Sequence, residues 1–322
     1  MTIVILGAFL DYLIGDPWGW LHPVQVMGWG ISFLQKTILK YFEGKLIRKV
    51  LGIFVGCFII LGSGFISWII IFFCNQINFY LSLIVQGVML ASCFAGKSLI
   101  RAGKDVLQPL TEENLLVARQ KLSLYVGRDT ENLSEKEVYR AILETIAENT
   151  TDGVTAPLFY ALLGVFIPVI GCVPMAIAYK ASSTLDSMIG YKKEPYIDIG
   201  WFSAKVEDIL TWFPCRLTVL TLAMMSGKPF YHLQQCRQDA KKDPSPNSGW
   251  SEAIYASILE VQLGGKNTYQ GEIKFKPLLG KPIKSISIDI IEKSFWLTRA
   301  CFLWWLGIAT WIFYFPLLAN YW

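Results

Sequence analysis

Arg140, Glu144 and Glu148 stand at i, i+4 and i+8 and therefore share one face of a helix. Asp152 follows at the exit of that helix, just before an apolar run begins. Ser134 and Glu137 form a capping-box pattern that opens it. Carboxylates abutting membrane segments are costly unless they meet a cation, a substrate or a partner charge. A solvated face explains them poorly, because Leu143, Ile146 and Ala147 leave only a narrow polar stripe. The pattern favours an Mg²⁺–nucleotide or substrate site, with Glu144, Glu148 and Asp152 as the metal-binding carboxylates.

Other groups have chemical potential. Arg128, in Gly127-Arg-Asp-Thr130, is either a fork for phosphate or carboxylate or a local partner of Asp129. Lys180, Asp186 and Lys192 flank Ser182, Ser183, Thr184 and Ser187; the lysines either snorkel or bind phosphate as point charges. Ser245-Pro-Asn247-Ser248-Gly-Trp250 leads into a helix whose N-terminus attracts anions, or simply caps it. Asp11 sits inside an apolar run, and Asp16 and His22 follow it; the region is functional or an interfacial helix end. Ala91-SCFA-Gly96-Lys97-Ser98 resembles a loose phosphate-binding loop. Such a loop requires a preceding strand, so a membrane helix ending in an interfacial lysine is the better reading.

These residues need a membrane scaffold. The 322 residues are 53% hydrophobic and 17% charged, against about 25% charged in soluble domains. The net charge of +4 comes without a long basic tract, which argues against nucleic acid. Seven cysteines are scattered singly, which suggests a reducing compartment or lipid burial. With only two histidines, any metal should be a hard ion held by oxygen.

Clear spans are expected near 50–73, 77–95 and 296–318, with weaker segments at 1–15, 154–178 and 209–225. Proline breaks make 154–178 a kinked span or a re-entrant hairpin, and 209–225 carries Pro214 and Arg216. The first segment lacks a basic lead and a cleavage site, so it reads as a retained membrane segment. Basic residues at both outer ends of the 50–95 hairpin place those ends in the cytoplasm. The expected fold is an all-α integral membrane protein. It has several transmembrane or re-entrant helices, polar cytoplasmic helical and loop blocks at 97–152 and 228–282, and one domain over 1–322.

Taken together, several blocks resemble one family. They are Asp11-YLIGDP-Trp18 with His22-Pro-Val, Val126-GRDT, Ala147-ENTTDGVTAPLF-Tyr160 and Tyr179-KASSTLDSMIGY-Lys192. They continue with Trp201-FSAKVEDI-Leu210, Pro214-CRLT-Val219, Ser245-PNSGW-Ser251 and Val261-QLGG-Lys266. Their types and order resemble the adenosylcobinamide-phosphate synthases of cobalamin biosynthesis, the CbiB/CobD membrane proteins. The resemblance covers nearly the whole chain. One departure is Lys242-Asp243-Pro244, where the family often has a histidine.

The resemblance implies a multi-pass protein of the cell membrane with a cytoplasmic active face. It implies ATP-dependent amide formation between the propionate carboxylate of adenosylcobyric acid and aminopropanol or its phosphate. ATP and Mg²⁺ are the expected co-substrate and metal, the corrinoid is substrate, and membrane lipid and other corrinoid-pathway enzymes are expected partners. Activating a carboxylate as an acyl phosphate needs acids to hold the metal, cations to neutralise phosphoryl oxygens and a base to free the amine. Glu144, Glu148, Asp152 and Asp186 suit the first role. Arg128, Lys180 and Arg216 suit the second, and the base is unassigned. Asp11, Asp16, His22, Asp129, Asn149, Lys192, Ser245, Asn247 and Ser248 fall in matching blocks and are expected at the substrate. The alternatives are a transport protein, which also builds a polar site between broken helices, and a non-catalytic membrane sensor of the same fold.

Overall fold

The structure, a computed structural model, describes residues 1–15 and 22–319, with side chains to Phe315. In chain order the helices are α1 (Thr2–Leu13), α2 (Pro23–Tyr41), α3 (Lys45–Ile77), α4 (Phe79–Ala91), α5 (Gly96–Thr111), α6 (Leu115–Leu122) and α7 (Glu135–Asn149). A π-helical turn, Thr150–Thr155, links α7 to α8 (Ala156–Val165), followed by α9 (Cys172–Ile189), α10 (Tyr196–Ile199) and α11 (Trp201–Met225). Then come α12 (Pro229–Ala240), α13 (Ser248–Leu259), strands β1 (Gln262–Tyr269) and β2 (Glu272–Gly280), and α14 (Ile288–Ala319). The protein is thus an all-α membrane protein apart from one antiparallel hairpin.

Among the described residues three helices, α3, α11 and α14, are long and apolar enough to cross a membrane, or four when α4 and α5 count together as one broken span. The expected spans at 50–73 and 296–318 lie inside α3 and α14. The run 77–95 is not one helix: α4 stops at Ala91 and α5 starts at Gly96. At that break Ser92 Oγ and Cys93 Sγ both donate to the Met89 carbonyl, side-chain bonds that compete with helix continuation. Helix α4, not a strand, leads into Gly96, so the context that a phosphate-binding loop requires is missing. The segment 154–178 forms a helical hairpin, with α8 packed on α9.

The chain divides into two compact units. The first comprises 1–95, 156–211 and 306–322. In it α3 packs on α9 and α10, and α1 on α4. A Cβ at Gly52 would strike the Ile199 carbonyl oxygen, and one at Gly56 the Phe202 ring. Small residues here let helices approach closely, as membrane packing requires. The opposite face of α3 exposes Phe54, Phe58, Leu61 and Phe65, an apolar surface that lipid, not water, would cover.

The second unit comprises 96–155 and 212–305. Here α7 packs on α5, α6, α13 and β1, while α12 and α13 pack on each other and on β2. Val138, Ile142, Leu143 and Ile146 of α7 and Ile254, Tyr255 and Leu259 of α13 are buried in its core. The π turn is held by hydroxyls. Thr150 Oγ1 lies 3.0 Å from the Tyr255 hydroxyl and 2.8 Å from Thr298 Oγ1, and Thr151 Oγ1 lies 2.6 Å from Ser251 Oγ. Such single turns recur at functional sites, and this one carries Asp152.

Candidate functional site

The acidic face of α7 is where the second unit concentrates buried charge. The Ser134–Glu137 capping box forms as expected and fixes the start of the helix. Glu144 is 1% exposed. One of its oxygens is bonded by Arg128; the other accepts from Arg140 at 3.2 Å and from the Gly264 N–H at 2.9 Å. Arg128 also donates to Asn267 Oδ1 at 2.9 Å, and Arg140 reaches the same oxygen at 3.1 Å. Two arginine donors require the oxygen of that amide to face them, which leaves Asn267 Nδ2 buried without a partner.

This network engages the first of the three carboxylates expected at a metal. Glu144 accepts from two guanidinium groups and a peptide N–H. Among the described residues no three His, Cys, Asp or Glu side chains gather to hold a metal ion. Glu148, one turn on, is half-buried and makes no hydrogen bond or ion pair among the described residues. Asn149 beside it is half-buried and donates to the Thr145 carbonyl at 2.9 Å. Asp129 does not pair with Arg128. Its two oxygens accept the Gln270 and Gly271 N–H groups at 2.9 and 2.8 Å, which secures the turn of the hairpin.

The hairpin brings in residues that sequence reasoning missed. Its ladder slips between Leu263 and Gly265. Pro277 on β2 has no N–H to give, and Gly264 (φ +86°) lies so close to the Pro277 carbonyl that a Cβ would collide with it. Beyond the slip, Lys276 Nζ lies 2.7 Å from Glu252 Oε1 on α13. The Glu252 side chain is 1% exposed and that of Lys276 28%. Glu252 Oε2 is buried without a hydrogen-bond partner. Burial pushes the Glu252 carboxyl up to about 8, against the pull of Lys276 and with the repulsion of Glu144 and Glu148. Burial alone would lower Lys276, but Glu252, Glu148 and Glu144 outweigh it and hold the ammonium above the usual lysine range. The lysine therefore stays charged. Only the acidic types of its neighbours were visible in the sequence; Glu252 sits in a stretch that reads as an ordinary helix.

The turn before α13 is firmly built. Ser245 Oγ accepts the Asn247 and Ser248 N–H groups at 3.2 and 3.1 Å, and Asp243 Oδ1 accepts the Ser245 N–H at 2.8 Å. These groups are therefore already engaged. Arg216 is also engaged: it donates to Asn247 Oδ1 at 2.8 Å and to the Pro246 carbonyl at 2.7 Å. Its guanidinium lies 4.7 Å from the Trp212 ring centroid and 4.8 Å from that of Trp250. Arg216 thus clamps the turn to α11.

The same unit contains an open cleft of about 950 Å³, whose walls include Arg119, Arg128, Lys266, Asn267, Asn132 and Thr268. Its lining sets those three cations against three carboxylates, Asp129, Glu131 and Glu137, among neutral hydrogen-bonding groups, and holds no aromatic side chain. It therefore suits a large polar ligand and offers no stacking platform for a base.

The remaining expected residues lie in the first unit. Asp11 is buried on α1. His22 caps α2, its Nδ1 accepting the Val24 N–H at 3.2 Å. Lys180 and Asp186 are half-buried on α9, and Lys192 is exposed just after it. Asp16 lies outside the described residues.

Comparison with known proteins gives one consistent result. The profile of the family described as "CobD/Cbib protein" matches residues 4–298. Over 306 residues the chain is 55% identical to "Cobalamin biosynthesis protein CobD" of Synechocystis sp., covering 94% of this chain and 90% of that one. It is 42% identical over 300 residues to the protein of that description from Halalkalibacterium halodurans, covering 91% and 90%. It is 39% identical over 300 residues to "Cobalamin biosynthesis protein CbiB" of Salmonella typhi, covering 91% and 92%. No solved structure matches.

Proposed function

The chain belongs to the CobD/CbiB protein family and acts in cobalamin biosynthesis, and from this premise we propose that it is an ATP-dependent amide-forming ligase. It joins the propionate carboxylate of adenosylcobyric acid to the amine of aminopropanol or of its phosphate, giving cobinamide or cobinamide phosphate. The carboxylate oxygen takes the terminal phosphoryl group of ATP, releasing ADP. The amine then attacks the acyl carbon, phosphate leaves and the amine proton passes to a base.

The observation that supports this reading most is the charge network beside the polar cleft. Arg128 belongs to both: it bonds Glu144 and Asn267 and lines the cleft. Desolvated charge is costly to assemble, and a site for anionic, amide-rich substrates gives it a purpose. Magnesium carried by ATP needs only one or two protein carboxylates. Glu148, which makes no hydrogen bond or ion pair among the described residues, and Asp152 on the adjoining turn fit that need. When bound, the ion neutralises phosphoryl charge. The protein's own contribution is to hold the substrates against fixed donors, with the working face toward the cytoplasm.

The test is turnover. Purified protein with ATP, Mg²⁺, adenosylcobyric acid and either amino alcohol should give amide product and ADP in equal amounts. Ligand binding without product would reject the ligase reading.

A further inference from the structure

An anion entering the second unit needs a cation with donors to spare. Of the three cations that the sequence offered, Arg128 is committed to Glu144 and Asn267, and Arg216 is stacked between two tryptophans and forked onto the turn. Lys180 is in the other unit. Lys276 is different. Its ammonium has three N–H donors; one goes to Glu252, and the side chain is 28% exposed. Its ladder partner is Gly265, which has no side chain to lie directly across from it. Glu252 makes a poor bargain by itself, since Oε2 is buried and unpartnered. An orphaned carboxylate oxygen is rare in folded proteins and calls for an explanation. The hydrogen bond at the other oxygen of Glu252, Oε1, holds Lys276 in place.

We propose that Lys276 is an anion-receiving cation of the second unit, taking a carboxylate or phosphoryl oxygen of a substrate, and that Glu252 is its positioning residue. The slip in the ladder is part of the device. The Gly264 N–H donates to Glu144 and the Gly264 carbonyl accepts from Arg140, which ties β1 to α7, and Lys276 sits just past the slip. Glu144 and Glu148, together with Glu252, keep Lys276 protonated. The inference rests on the ligase reading only for which oxyanion arrives.

Binding tests it directly, with the full-length protein in nanodiscs. The probes are a non-hydrolysable ATP analogue with Mg²⁺ and, separately, adenosylcobyric acid. Lys276→Met alone would leave Glu252 buried without its cation, so the informative variant is Lys276→Met with Glu252→Leu. Replacing both members of a buried pair with apolar groups is often tolerated. We expect this double variant to keep its thermal midpoint while affinity for one probe falls about tenfold or more, the scale of one charge-assisted hydrogen bond. Loss confined to the nucleotide analogue assigns Lys276 to phosphoryl oxygen, and loss confined to the corrinoid assigns it to the carboxylate. Glu252→Gln keeps an acceptor for the ammonium and should retain most of the affinity that Glu252→Leu loses. Unchanged affinity for both probes in the folded double variant overturns the proposal, as does failure of the wild-type protein to bind either. Lys276-dependent binding without amide product would sink the ligase reading and leave this one standing.

Discussion

Glu144 and Glu148 are separated by one helical turn and have opposite surroundings. Glu144 neutralises the buried Arg128 and the half-buried Arg140, so removing its charge strands both. We expect Glu144→Gln to cost about 3–5 kcal/mol of stability, read as a large drop in thermal midpoint. Glu148 has no such partner. Glu148→Gln should leave the midpoint within a degree or two, while turnover falls by about 10²–10³ if its charge acts at the reaction. Near-normal turnover would reduce it to a solvated group. Glu252 adds a pH signature. Burial raises its folded-state value from 4.5 to about 8, so the proton is bound more tightly in the folded state. Its contribution to stability is complete below about 4.5 and fades as the pH rises through about 8. Against Glu252→Gln, the wild-type protein should therefore lose thermal stability between pH 5 and 8. A constant difference across that window would mean that Glu252 is ionised throughout. Arg128 and Glu144 drew notice in the sequence through type and spacing. Lys276 and Glu252 did not, because they lie 24 positions apart and meet only through the hairpin.

At the scale of elements, helix α7 was legible because a capping box and an i, i+4 stripe are local signals. The hairpin was not. Gly264, Gly265 and Pro277 interrupt its strands, and most of β2 is exposed, so no apolar alternation announced it. Arg216 shows the same limit. Its charge suggested a partner for phosphoryl oxygens, and only the fold shows that it also holds the turn before α13. Arg216→Lys keeps the charge but loses the planar fork and the double stacking. We expect it to impair substrate binding nearly as much as Arg216→Met. Chemical rescue offers a second measurement: in Arg216→Ala, added guanidinium should restore activity where methylammonium does not. Full activity in Arg216→Lys would make the residue a simple point charge.

At the scale of the molecule, the membrane character and the spans within α3 and α14 were legible from hydropathy alone. The division into two units was not, since each is assembled from separated stretches of sequence and tertiary contact leaves no local pattern. The proposed topology rests on the basic ends of the 50–95 stretch. Single cysteines placed near Asn149 and Ser248, in a background lacking the seven native ones, should react with reagents confined to the cytoplasm. Reaction only from outside would invert the proposed orientation. The bond between Gly264 and Glu144 also sets an order of events during synthesis. The two residues are 120 positions apart, and the stretch 156–211, which belongs to the first unit, is made between them. At about 5–20 residues per second, Glu144 waits on the order of ten seconds for its last partner to be made. Arg140 and Arg128, 4 and 16 positions away, are there from the beginning as escorts for that carboxylate. The newborn chain can thus carry a neutralised acid past the membrane before the hairpin that will seal it exists.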